Sequence, residues 1–121
     1  TTFVRGLARG LGSKEIVTSP TFTLNKVYKA RDLEIHHFDF YRLNEPGIVA
    51  DQLAESLEDP KVITVVEWSD IVKNVLPPAR LSIEFQPVKV NADERLIVFS
   101  YPESKIGLMR QLETNWTGVK P

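Results

Sequence analysis

The sequence predicts an α/β domain in three layers, with helices on both faces of a mostly parallel sheet and an antiparallel hairpin near the carboxyl end. Three observations carry this. Val62-Ile63-Thr64-Val65-Val66 is almost continuously β-branched, as expected of a strand covered on both faces in a parallel sheet. Phe3, Val4, Leu7, Ala8 and Leu11 recur at helical spacing ahead of Gly12, a natural helix stop. Leu81, Ile83 and Phe85, and later Leu96 and Val98, alternate with polar residues as paired antiparallel strands do.

The remaining elements follow in order. The opening helix carries Arg5 and Arg9 on its more polar side. Ser13 to Pro20 connects it to two extended segments, Thr21–Tyr28 and Leu33–Phe40, around the polar turn Lys29-Ala30-Arg31-Asp32. Asn44-Glu45-Pro46 starts a second helix, with Pro near the first helical position. Ile48, Val49, Leu53, Ala54 and Leu57 form its buried stripe, and Asp59-Pro60 ends it. The polar stretch Pro87–Glu94 joins the two hairpin strands, and Ile106, Leu108, Met109 and Leu112 give a closing amphipathic helix after Pro102. Residues 113–121 read as a loose tail of one domain spanning 1–121. No strand feeds the first helix, which leaves a slot in the sheet beside Val62–Val66.

Composition narrows the function classes. With 121 residues the chain supports a single core. Fifteen basic against sixteen acidic residues leave a net charge of −1, whereas a domain gripping nucleic acid by its own phosphate contacts more often shows a basic excess. The absence of cysteine excludes disulfides and thiolate metal sites. No apolar run is long enough to cross a bilayer, so no membrane partner and a cytoplasmic location are expected.

The chemistry-bearing residues stand beside apolar segments. Glu67 directly follows the buried strand, where open α/β sheets bind ligands. A carboxylate there can hold a divalent cation or orient water, or be a solvated strand end. Asp39 lies between Phe38 and Phe40 at the end of another strand, and a carboxylate so placed needs a cation or donor, either Mg²⁺ or Arg42. His37 can donate to a neighbour or lie in the core. Trp68 can shield a ligand or pack at the rim. Ser19-Pro20-Thr21 can present Thr21 to a metal or γ-phosphate, or simply turn the chain into a strand. Thr1 and Thr2 cap a helix, or follow a phosphate loop whose closing hydroxyl binds Mg²⁺.

Taken together, Thr1-Thr2-Phe3-Val4-Arg5-Gly6-Leu7, Ser19-Pro20-Thr21-Phe22-Thr23-Leu24, His37-Phe38-Asp39-Phe40-Tyr41-Arg42-Leu43 and Val66-Glu67-Trp68 closely resemble the TsaE family of bacterial tRNA threonylcarbamoyladenosine biosynthesis proteins. The resemblance runs through nearly all of residues 1–112. It implies a small P-loop ATPase using ATP and Mg²⁺, truncated here at its amino end. The phosphate loop ending Gly-Lys-Thr would close at Thr1, making Thr1 a magnesium ligand with Thr2 beside it at the nucleotide. The same resemblance makes Glu67 the second metal-binding group, gives Asp39 a Walker-B-like part, puts Thr21 in a switch-like loop, and brings Trp68 and Arg95 near the nucleotide. It further implies TsaD and TsaB as protein partners, with tRNA reached through their complex. Because the loop and its Lys supply most of the grip on the phosphates, the chain as given is expected to bind ATP poorly. A non-catalytic docking module and a small-molecule phosphotransferase are the alternative readings.

Overall fold

The computed structural model describes residues 2–18, 25–40, 49–67, 72, 74 and 76–117. The expected single domain is internally divided into two compact units, Thr1–Val75 and Leu76–Pro121.

In the first unit, helix α1 (Thr2–Gly10) buries Val4 and Ala8, one turn apart on one face. They pack with Val17, Tyr28 and Ile35 in a core that Leu11 and Val65 flank. Phe3, expected in the buried stripe, is 42% exposed. It precedes the Val4–Ala8 line by one residue, about 100° around the helix. The helix ends as the sequence foretells. Gly12 adopts φ +85°, its N–H donates to the Arg9 carbonyl at 3.1 Å, and the Ser13 N–H reaches back to Ala8 at 2.9 Å. These two bonds satisfy carbonyls that the helix leaves open, and they require a left-handed residue between them.

Residues 13–18 are tied down on both sides. The Arg5 guanidinium donates to the Val17 carbonyl at 3.3 Å. The Tyr28 hydroxyl donates to the Thr18 carbonyl at 3.0 Å and accepts from the Thr18 N–H at 3.2 Å. The Lys26 ammonium reaches the Thr18 hydroxyl at 2.8 Å.

Strand β1 (Asn25–Lys29) turns through residues 30–33 into β2 (Glu34–Asp39), and β3 (Val62–Glu67) follows helix α2 (Val49–Glu58). The described sheet has the order β1-β2-β3 and is mixed. β1 pairs antiparallel with β2, and β2 parallel with β3. This departs from the mostly parallel sheet expected. The physical reason is the connection: the short turn at 30–33 permits only antiparallel pairing, whereas the helical crossover through α2 delivers β3 parallel. β3 was expected to be fully covered, yet all six of its residues are half-buried. Among the described residues it pairs along one edge only, with β2.

α2 turns Leu53 fully inward, with Ala54 and Leu57 half-buried beside it. Its expected start at Asn44-Glu45-Pro46 lies outside the described residues, as do Ile48 and the side chain of Val49. The stripe also contains a polar residue that periodicity missed. Buried Ser56 shares a 2.6 Å hydrogen bond with Thr64 of β3, which satisfies both hydroxyls. Thr64 alternates with Val65, so α2 approaches the sheet face opposite the one that packs on α1.

The second unit holds β4 (Ser82–Val88), β5 (Asn91–Ser100) and helix α3 (Ile106–Asn115). β4 and β5 pair antiparallel, with a register shift at Pro87/Val88. The strands extend through most of the stretch expected to connect them. Pro87 reads as a break, but a bulge absorbs its missing donor and pairing resumes at Val88. α3 buries Met109 and continues to Asn115, three residues into the segment expected as a loose tail.

Two outcomes test this frame. Gly12→Ala destabilises the protein by about 1 kcal/mol, because alanine resists the left-handed conformation. The check is the urea midpoint with an unchanged slope. Ser56→Ala costs about 1 kcal/mol by stranding the Thr64 hydroxyl, and adding Thr64→Val recovers much of that loss. A double-mutant cycle in urea measures the coupling directly.

Candidate functional site

Parallel pairing of β2 and β3 brings two carboxylates together. Asp39 and Glu67 end their strands as register partners, and neighbouring strands lie only about 4.8 Å apart. The pleat turns both toward the sheet face that carries Ile35, His37 and Val65. Ile35 and Val65 belong to the core packed on α1, so the acidic pair shares that helix's side of the sheet.

The same side receives the amino end of α1. At the helix's other end, the Leu11 carbonyl accepts from Arg31 in the turn that leads into β2, at 3.3 Å. α1 therefore runs back along the sheet from that turn, and its Thr2 end is directed toward the edge where Asp39 and Glu67 stand. Unpaired backbone N–H groups and the helix dipole make such an end attractive to anions.

Beneath the carboxylates lies His37, fully buried, with Nε2 3.2 Å from Glu67 Oε1. The distance is that of a hydrogen bond but the ring is off-line. Among the described residues neither ring nitrogen has a well-directed partner. Burial pushes the His37 imidazole below its ordinary pKa, against the opposing pull of Glu67 and Asp39, so the ring is neutral near pH 7. For Glu67, burial acts to raise the carboxyl pKa. The neighbouring His37 acts to lower it.

The chemistry of this donor set fits a hard cation in part. Among the described residues no group of three His, Asp or Glu side chains is arranged to enclose a metal by itself. Two adjacent carboxylates suit instead an ion such as Mg²⁺, which keeps several waters and takes further oxygens from phosphate.

The other expected site residues divide into three cases. Thr1, Thr21 and Trp68 lie outside the described residues, as do Ser19, Tyr41 and Arg42. Thr2 is the first residue of α1 and is exposed. Arg95 belongs to the second unit, on β5 opposite Pro87, where its Nη1 donates to the Glu94 carbonyl at 2.8 Å. The anchors on either side of 19–24 are described. Thr18 is held by Tyr28 and Lys26, and Asn25 pairs with Phe38, one residue before Asp39.

His37 is the residue whose place sequence reasoning left open. The signal was present: it stands two positions before Asp39 on a strand, hence on the same face. A separate open concavity of about 330 Å³ lies at the opposite end of the strands, lined by Arg31, Asp32, Glu34, Asp59 and Lys61 among others. Its charges are mixed and it shares no residue with the carboxylate pair.

Comparison with known proteins places the chain in a family. Residues 1–97 match the family model of the threonylcarbamoyl adenosine biosynthesis protein TsaE. The tRNA threonylcarbamoyladenosine biosynthesis protein TsaE of Bacillus subtilis is 36% identical over 100 residues, covering 83% of this chain and 61% of that protein. Its counterpart in Treponema pallidum is 41% identical over 86 residues, covering 71% of this chain and 63% of the relative. The chain thus spans about three fifths of the length of these curated relatives. The crystal structure of Bacillus subtilis YdiB superposes with a TM-score of 0.71 at 32% identity, over 94% of this chain and 68% of that one. A family match through both units, with relatives above 30% identity, establishes that the chain belongs to the TsaE family, whose members are named for threonylcarbamoyladenosine biosynthesis on tRNA.

Proposed function

We propose that the protein is the ATP-hydrolysing component of the machinery that makes N6-threonylcarbamoyladenosine in tRNA. The observation that carries the reading is the register pairing of Asp39 with Glu67 on the face served by the amino end of α1. The family's role in threonylcarbamoyladenosine synthesis supplies the pathway. ATP, Mg²⁺ and the hydrolytic step belong to this proposal, as do a P-loop arrangement of the layers, the partners TsaD and TsaB, and a cytoplasmic location. Among the described residues no helix is long and apolar enough to cross a membrane.

In this mechanism Asp39 and Glu67 would hold Mg²⁺, which when bound would supply neutralisation of the charge developing on the triphosphate. Asp39 presents a hard oxygen donor from the end of β2. Glu67 would supply a second from the end of β3 and orient the attacking water. The amino end of α1, which begins at Thr2, would favour the negative charge of the phosphates through its helix dipole, and by the family resemblance Thr1 would add a hydroxyl ligand to the metal. By the family resemblance, Thr21 and Trp68 would add further contacts to the nucleotide. Hydrolysis then works by placement and electrostatics, with little covalent chemistry asked of the protein. The near-neutral charge suits a protein that meets tRNA through partners rather than by its own phosphate grip.

The test uses the full-length product of the coding frame. Glu67→Ala lowers Mg²⁺-dependent ATP turnover by about 100-fold or more while the circular dichroism spectrum stays that of the parent. Unchanged hydrolysis removes Glu67 from the site. Asp39→Asn weakens ATP binding in Mg²⁺ but not in EDTA, as read by calorimetry, and equal loss in both conditions contradicts a metal role.

A further inference from the structure

Beyond assigning the carboxylates, the geometry points to His37 as the residue that positions Glu67: its Nε2, 3.2 Å from Oε1, sets the direction in which the carboxylate is presented. This rests on the ATP·Mg²⁺ reading of the site. Three observations support it. His37 is fully buried in the strand that ends in Asp39, so its ring is fixed by packing rather than free to follow solvent. Its Nε2 is 3.2 Å from Oε1 of Glu67, and among the described residues neither ring nitrogen makes a directed hydrogen bond. Its strand neighbour across the ladder is Val65, two residues before Glu67, so the imidazole sits one step deeper than both carboxylates on the same face.

The arrangement has a chemical logic. A carboxylate that ends a strand can rotate, and each rotamer aims its oxygens differently. A buried donor that engages one oxygen selects the rotamer and fixes which oxygen remains for an incoming ligand. The contact is close but off-line, so the hydrogen bond is incompletely formed in this structure. A hydrophobic residue of similar size would preserve the packing yet release the carboxylate.

The proposal is tested first without nucleotide. Histidine-labelled full-length protein is observed by long-range ¹H–¹⁵N NMR, and the resonances lost in His37→Gln identify its ring, with His36→Gln as the control. The expected result is a neutral His37 ring carrying its proton on Nε2, whose resonance shifts in Glu67→Gln. A proton on Nδ1, or an Nε2 indifferent to Glu67→Gln, overturns the assignment. Turnover is the second arm. In His37→Phe the Mg²⁺ concentration for half-maximal hydrolysis rises by about tenfold, and His37→Gln, which keeps a side-chain N–H, restores most of it. Equal shifts in the two variants mean a packing role only and overturn the proposal. A parent protein without Mg²⁺-dependent turnover sinks the ATPase reading and this inference with it. Intact Mg²⁺ dependence together with an Nδ1-protonated His37 sinks this inference alone.

Discussion

The parallel pairing of β2 with β3 is the constraint on which the site depends. Side chains in a strand alternate between faces, so a slip of one residue would move Glu67 to the far side of the sheet from Asp39. The register is held from both layers. Ile35 and Val65 pack into the core under α1, while Thr64 binds Ser56 of α2 through a 2.6 Å hydroxyl contact on the other side. The Asp59 turn then fixes where β3 begins: its carboxylate accepts from the Lys61 N–H at 2.9 Å and its carbonyl from Val62 at 3.2 Å. Each of these contacts is lost if β3 shifts by one position.

α1 depends on the same frame from the other end. Its stop at Gly12 is locked by the Arg9 and Ala8 carbonyls, and the Leu11 carbonyl is joined to Arg31 in the β1–β2 turn. Fixing the carboxyl end of a short helix at one margin of the sheet aims its amino end at the other. Helix dipole, carboxylates and a buried imidazole thus meet at one edge through packing made elsewhere. The Arg5–Val17 and Tyr28–Thr18 bonds extend this order along the segment that leads toward Thr21.

Much of this was legible in the residues. Val4 and Ala8 at helical spacing, the β-branched run Val62–Val66, and the glycine stop at position 12 each follow from local geometry, which a single chain segment decides for itself. The turn at Lys29–Asp32 was equally plain. Harder to read were features that need two segments at once. Ser56 breaks an apolar stripe and makes sense only beside Thr64. Pro87 signals the end of a strand, yet β4 passes through it because the partner strand accommodates a bulge. Phe3 fits the helical period but lies just outside the line that Val4 and Ala8 bury.

By itself the sequence determined which residues could do chemistry and which elements would carry them, because side-chain type and hydrophobic period are properties of neighbours along the chain. It also carried the family resemblance, through four short motifs in order. Only the tertiary structure decided that the sheet is mixed, that Asp39 faces Glu67 across a parallel ladder, and that His37 lies beneath Glu67 with Nε2 3.2 Å from its carboxylate. Those facts depend on strand register and on the direction of α1, which are set by long-range packing and by backbone hydrogen bonds between segments far apart in the chain.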